Sequence, residues 1–332
     1  MIISRTPFRM SFFGGGTDYP QWFELNGGAV LVATINKYCY ITCRYLPPFF
    51  AHRSRIIYSR MEHVSNVDEI DHPSVRECLR YLNITRGVEI HHDGDLPART
   101  GLGSSSSFTV GLLNSLYALK GEMVSREQLT GQAIEIEQTR CRENVGCQDQ
   151  AAAAFGGLNY IEFGGDNHLK VTKLTVSRGI IDHLEKHIML YFTGFSRNAS
   201  EIAAHQIKMI DRKRKELEEI QQMVPAALEL LKADNMPEFG RLLHESWLIK
   251  RELSERVTTA DVDNMYRAAL DGGALGGKLL GAGGGGFLML FVPPENQPGV
   301  KEKLKALLRV PVKFEWSGSQ IIFYQPDGEQ ET

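Results

Sequence analysis

The stretch Pro97-Ala98-Arg99-Thr100-Gly101-Leu102-Gly103-Ser104-Ser105-Ser106-Ser107 runs straight into an amphipathic helix, and this junction limits the architecture more than any other part of the chain. Phe108, Leu112, Leu116 and Leu119 recur at spacings of four, four and three, the stripe of one helix face. Gly121 stands where a left-handed residue would end that helix. The serine run therefore fills the first turn. There the unpaired amides and the positive end of the helix dipole favour an anion, and the glycines let backbone approach it closely. Two readings fit these residues alone: a phosphate loop, or an ordinary serine-capped helix after a glycine turn.

Short β-rich runs and helices surround this junction. Residues 1–3 read as a strand, although residues 1–13 alternate poorly, and Gly14-Gly15-Gly16-Thr17-Asp18 reads as a tight loop. Strands are expected over 29–35, 39–45, 55–59 and 87–92, with a helix over 72–81. Ser125-Arg126-Glu127-Gln128 has the form of a capping box, and a short alanine-rich helix follows Gly146. A hairpin over 158–163 and 169–174 closes a first domain. The second opens with a strand over 187–192 and continues as helix over 199–257, broken near Pro225 and restarted at Pro237. The mixed-sign run 212–219 reads as a solvated helix face. A helix over 261–270, strands over 278–280, 287–292, 312–316 and 321–324, and a helix over 300–308 complete it. A chain of 332 residues has room for two domains, divided here into 1–185 and 186–332.

With a net charge of −3, 42% hydrophobic and 23% charged residues, this is a globular composition that gives no electrostatic reason to expect nucleic acid or membrane as partner. The five cysteines are odd in number and form no CxxC pair, which suggests reduced thiols in a cytoplasm-like compartment. The N-terminus lacks a basic-then-apolar leader pattern, and no apolar run approaches the roughly 20 residues of a membrane span. A soluble, cytoplasmic protein is the expectation.

Two carboxylates stand out. Glu137 lies four residues past Ala133 and eight past Leu129, on the inward face of its helix, whereas Glu135 points to the polar side. A buried carboxylate is costly unless paired with a base or bound to a cation, and both remain open. Asp149 falls in the first turn of the alanine-rich helix, as a cap or as a functional group held ionised by the dipole.

Two glycine motifs mislead. Gly281-Ala282-Gly283-Gly284-Gly285-Gly286 satisfies G-x-G-x-x-G, but it feeds the apolar strand-like run 287–292 where a dinucleotide fold needs a helix. Residues 272–278 fit G-x-x-x-x-G-K, but Leu279 follows where a Walker loop places its magnesium-binding Ser or Thr.

Three stretches in order resemble the three motifs of the GHMP kinases, the superfamily of galactokinase, homoserine, mevalonate and phosphomevalonate kinases. They are Pro7-Phe8-Arg9 through Gly14-Gly15-Gly16-Thr17-Asp18-Tyr19, then 97–107, then Lys278-Leu279-Leu280-Gly281-Ala282-Gly283-Gly284-Gly285-Gly286. Through Arg9-Met10-Ser11-Phe12 and the glycines after it, the chain looks most like the D-glycero-D-manno-heptose 7-phosphate kinases. The resemblance implies an α+β fold of two domains, the first ribosomal-S5-like and the second ferredoxin-like, with ATP and substrate between them. It implies transfer from Mg²⁺-ATP to the anomeric oxygen of the heptose phosphate, giving the 1,7-bisphosphate on a route to nucleotide-activated heptose for surface polysaccharide. Position by position, Gly101, Leu102, Gly103, Ser104, Ser105, Ser106 and Ser107 would hold the ATP phosphates. Ser105 and Glu137 match the magnesium ligands, Asp149 the catalytic aspartate, and Arg9 the arginine beside it. Gly15, Gly16, Thr17 and Asp18, with Gly283 and Gly284, fall on the substrate side. Galactokinase has Glu-His where this chain has Gly15-Gly16, which suggests room for a larger sugar. Arg197, at a strand end opening a helix, is a candidate partner for the substrate's own phosphate. A fucose- or galactose-type kinase and a silent sugar sensor on the same fold are the alternatives.

Overall fold

The computed structural model describes residues 1–165, 169–194 and 199–325. Arg197 therefore lies outside the described residues. The first half runs β1 (Ile2–Phe13), α1 (Pro20–Asn26), β2 (Gly28–Tyr45), β3 (Ser54–Ile57), β4 (Met61–Val64), α2 (Pro73–Tyr81), β5 (Val88–Gly94) and α3 (Ser104–Leu119). It continues through α4 (Arg126–Ile134), α5 (Gln148–Phe155), β6 (Leu158–Phe163) and β7 (Leu169–Lys173). The second half holds α6 (Arg178–His187), β8 (Ile188–Phe192), α7 (Ala199–Met209), α8 (Arg214–Lys232), α9 (Met236–Glu252) and α10 (Ala260–Asp271). After these come β9 (Gly276–Leu279), β10 (Phe287–Phe291), α11 (Gln297–Lys303), β11 (Leu308–Arg309) and β12 (Gln320–Tyr324).

Two sheets organise these elements. The larger has the order β12-β1-β2-β5-β3-β4, with β6 and β7 added through the first half of β2; the smaller is antiparallel in the order β11-β8-β10-β9. β1 is one strand across residues that alternate poorly because helices from both halves, α3 and α5 with α8 and α9, pack on it. A strand covered on both faces has no reason to alternate. The two strands expected over 29–35 and 39–45 are a single β2. Its pairing with β1 shifts register between Pro7 and Phe8, so Asn36 and Lys37 bulge opposite a proline that has no amide to donate.

Other expectations change as well. Pro225 lies inside a continuous α8, whose flanking Val224, Ala227 and Leu231 are buried and hold the helix together across the missing amide. The segment 312–316 is extended but pairs with β2 as an isolated bridge, Ile35 to Phe314, reinforced by hydrogen bonds to the side chains of Thr34, Asn36 and Tyr38. The last strand, β12, was expected in the second domain and instead joins β1 in the first sheet. α6 had no counterpart in the sequence reading. The capping box at Ser125 and Gln128 is formed in both directions, and the loop 281–286 does lead into a strand.

The halves share a core. Phe12 and Phe13 of β1 meet Phe239 of α9 edge-on at 5.9 and 5.2 Å, and Phe239 meets Phe291 of β10 at 5.4 Å. Nearer the surface the two glycine loops touch backbone to backbone. Gly281 has φ +75°, and a Cβ there would lie 2.5 Å from the Gly101 Cα. Gly281→Ala should therefore lower stability by about 2 kcal/mol or more through strain and overpacking. Gly131→Ala, facing open space in α4, should be neutral or stabilise by up to about 1 kcal/mol. Urea midpoints of the two variants check both signs.

Candidate active site

Arg9 sits on β1 with its backbone amide bonded to the Leu102 carbonyl at 3.0 Å. Its guanidinium grips Asp149 with two bonds, Nε to Oδ1 and Nη2 to Oδ2, both 2.7 Å. The remaining arm, Nη1, donates to the Gly101 carbonyl at 2.5 Å. One side chain thus ties the central strand, the glycine–serine loop and the first turn of α5. The planar fork of arginine suits such a bidentate clamp, and lysine would not reproduce it. Arg9 is 5% exposed while Asp149 keeps 23%, so the carboxylate is fixed from behind and open in front.

The serine loop divides its labour. Ser107 is buried and its hydroxyl donates to the Pro7 carbonyl at 2.9 Å, anchoring α3 to β1. Ser104 Oγ accepts from the Arg99 amide at 3.1 Å. Ser105 is exposed, and Ser106 is buried with its hydroxyl on Glu137 Oε2 at 2.8 Å. The carboxylate therefore meets the third serine of the run rather than the second. The first amides of α3 are the orphan donors of any helix start, raised here on a left-handed Gly103.

Glu137 is fully buried, as its inward spacing required. It lies in a π-helical turn, Glu135–Arg140, where the Cys141 amide reaches five residues back to Ile136 at 2.8 Å. Gln150 Nε2 donates to Oε2 at 2.5 Å, whereas Oε1 has no hydrogen-bond partner among the described residues. Thr109 lies beside it but donates to the Ser105 carbonyl. Burial pushes the Glu137 carboxyl up to about 7, against the pull of its hydroxyl and amide donors. An orphaned buried oxygen beside hydroxyls at a helix start fits a hard cation completed by phosphate and water. No group of three or more His, Cys, Asp or Glu among the described residues forms a metal cage by itself.

Asp18 is buried and accepts from the Gly16 amide at 3.1 Å and from Gln148 Nε2 at 3.0 Å. Burial raises its carboxyl, and the Asp149 charge raises it further. Near Gly15, Ser11 and Gln148 carry buried oxygens, Oγ and Oε1, with no hydrogen-bond partner among the described residues. A Cβ at Gly15 would stand 3.8 Å from the Ser11 oxygen and 3.9 Å from the Gln148 amide nitrogen. These orphans line a place for a polyhydroxylated ligand.

Several residues expected on the substrate side also make contacts within the framework. Thr17 is fully buried; its hydroxyl contacts the Gly14 carbonyl at 2.8 Å and accepts from the Ala29 amide at 3.1 Å, which staples the loop to β2. Gly16 has φ +106°, and a Cβ there would stand 3.3 Å from the Leu217 side chain. Gly283 and Gly284 pack on Val257, whose carbonyl takes the Gly284 amide at 2.9 Å.

Other site residues escaped the sequence reading. Ser11 shares a β1 face with Arg9, two residues on. Lys250 follows Leu243 by seven and Trp247 by three on the buried face of α9, a spacing that was legible. Its Nζ donates to the Gly281 carbonyl at 2.6 Å, and burial with the Arg9 charge lowers its pKa to about 8. Lys278, from the discarded Walker pattern, is buried in β9 and donates to the Phe12 carbonyl at 2.9 Å. Burial, then Lys250 and Arg9, push it well below the usual lysine range.

Known proteins are similar to this chain in sequence and fold. The family described as GHMP kinases N terminal domain matches residues 73–157, and GHMP kinases C terminal matches 227–310. A D-glycero-alpha-D-manno-heptose 7-phosphate kinase of Campylobacter jejuni is 31% identical, over 92% of this chain and 93% of the relative. A crystal structure of a D-glycero-D-manno-heptose 1-phosphate kinase from Bacteriodes thetaiotaomicron superposes with TM-score 0.79 at 26% identity, covering 96% of this chain and 98% of the other. Lactococcus lactis galactokinase complexed with galactose shares the fold, with TM-score 0.72 at 19% identity over 96% and 94% of the two chains.

The buried carboxylate makes a prediction about the metal-free protein. A folded-state value of about 7 lies above the ordinary 4.5, so the folded protein keeps a proton that the unfolded chain releases. Its favourable contribution is complete below pH 4.5 and is lost as pH rises to about 7. The loss amounts to about 3 kcal/mol at most. In chelator, wild type should lose stability relative to Glu137→Gln across that window and no further above it. Parallel urea midpoints for the two proteins from pH 4 to 8 would mean the carboxylate is compensated without a cation.

Proposed function

The chain belongs to the GHMP kinases and is an ATP-dependent sugar kinase, and from that premise we propose that its acceptor is D-glycero-D-manno-heptose 7-phosphate, phosphorylated at the anomeric oxygen. The observation that carries the chemistry is Asp149, clamped by Arg9 at the mouth of the serine loop and open on its other side. The choice of sugar is supported by likeness to the Campylobacter kinase along nearly the whole of both chains. The space and orphaned oxygens at Gly15 support it too.

In this reading the first amides of α3 hold the ATP phosphates, with Gly101 to Gly103 letting them approach. Bound Mg²⁺, held by Glu137 and the Ser105 and Ser106 hydroxyls, would neutralise charge on the phosphate oxygens. Phosphoryl transfer has a loose transition state, so the chain's work is positioning and charge compensation. Asp149 orients the anomeric hydroxyl and takes its proton as the new O–P bond forms. Arg9 fixes that carboxylate and places positive charge beside the group in flight. Asp18 is the less accessible base, because it is buried whereas Asp149 keeps 23% of its side chain exposed. Ser11 and Gln148 would take sugar hydroxyls, and the heptose's own phosphate needs a cation beyond them, for which Arg197 remains a candidate.

Asp149→Asn keeps the shape but not the basicity. Its kcat should fall by about 10²-fold or more while ATP affinity holds. Collapse of sugar affinity with kcat intact would make Asp149 a binding residue instead. Substrate choice is tested by comparing kcat/KM for heptose 7-phosphate, heptose 1-phosphate, free heptose, galactose and fucose. The 7-phosphate should be preferred; an equal or better unphosphorylated sugar would reject this assignment while leaving the sugar kinase intact.

A further inference from the structure

Two ammonium groups are buried against the site, and the reaction described above uses neither. Lys278 ends on the Phe12 carbonyl, a contact that joins β9 to β1 and gives it a structural role. Lys250 is different. It is 6% exposed, and among the described residues its Nζ meets one acceptor, the Gly281 carbonyl at 2.6 Å. An ammonium carries three N–H donors, and a buried cation with donors unmatched is costly.

The position of that nitrogen is informative. Gly281 backs onto Gly101, whose carbonyl takes Arg9 Nη1, so Lys250 approaches from the second half the same junction that Arg9 approaches from the first. The charged groups facing it are Arg9 from β1, Asp18 from the glycine loop, Asp149 from α5 and Lys278 from β9. With Lys278 pushed well below the lysine range, Arg9 and Lys250 are the cations set beside these two carboxylates, one of which faces the acceptor.

We propose that Lys250 is a further catalytic residue whose ammonium donates to the phosphoryl group in transfer, sharing with Arg9 the charge that the group carries between its donor and acceptor oxygens. The proposal rests on the kinase reading above. As the bond from the γ-phosphorus to the bridging oxygen of ATP breaks, the acceptor O–P bond forms, the acceptor proton passes to Asp149, and Lys250 keeps its own. Because the ammonium must stay protonated, its contribution is present below about pH 8 and is lost as pH rises through that value. The helix face supports the assignment: Phe239, Leu243 and Trp247 seat α9 in the core and leave Lys250 aimed at the loops.

The test uses full-length enzyme with Mg²⁺-ATP and the heptose phosphate. Wild-type kcat/KM, which reports the free enzyme, should decline above about pH 8. Lys250→Met should lose about 10²-fold in kcat at pH 7, the scale of one transition-state donor, with both KM values within about threefold. Its profile should lack the decline near pH 8, and Lys250→Arg should recover part of the rate and move the decline upward. A Lys250→Met enzyme with near-normal kcat, or one that keeps the wild-type pH decline, overturns the proposal. If that variant loses its thermal transition, wild type alone decides the matter. Its affinity for ADP with aluminium fluoride and sugar should weaken above about pH 8 while its affinity for ADP alone does not. Equal pH dependence of the two overturns the proposal. A wild type that phosphorylates no sugar removes the kinase reading and this inference together.

Discussion

The two-bond grip of Arg9 on Asp149 is the interaction on which the rest of the site depends. It joins elements 140 residues apart in sequence, and the same guanidinium holds the Gly101 carbonyl while its backbone holds Leu102. Strand, loop and helix start are thereby set in one register. A buried arginine is costly unless its donors are used, and here each of the three guanidinium nitrogens has an acceptor. That pairing lets β1 carry a buried cation among Phe8, Met10, Phe12 and Phe13.

Around that pair the molecule holds charges it does not balance alone. Among the described residues Glu137 has an oxygen without a partner and Lys250 has spare donors, and the Asp149 charge adds to the cost of burying Asp18. Each imbalance is destabilising in the empty protein, and each has the sign that nucleotide, metal and sugar would relieve. Ligand binding and stability are coupled in such a site, because interactions made only with the native state raise its stability. The Phe12–Phe239–Phe291 aromatics supply the rigid background that lets the imbalance persist.

The sequence was legible where one periodic element decides the outcome. The helix that opens on the serine run, the capping box at Ser125, the inward Glu137, the left-handed Gly121 and the strand after Gly286 follow from local spacing. It was less legible where two distant segments decide together. Nothing local says that β12 returns to β1, that Thr17 staples to Ala29, or that Gly16 is pressed by Leu217. The serine that meets Glu137 also depends on a π-helical turn that residue spacing does not reveal. Lys250 is the exception: its helical phase with Leu243 and Trp247 was readable, but the long helical stretch was not divided into faces.

The central claim is that Arg9 and Asp149 act as one unit, and a double-mutant cycle on kcat/KM tests it most directly. Arg9→Met, Asp149→Asn and the double variant would be assayed together under identical Mg²⁺-ATP and sugar conditions, with folding checked by thermal melting. Groups that act as a unit lose their effect once, not twice. The account predicts a double variant within about threefold of the weaker single variant. A double variant whose loss equals the product of the two single losses would contradict it, and would mean that strand and helix contribute to catalysis independently.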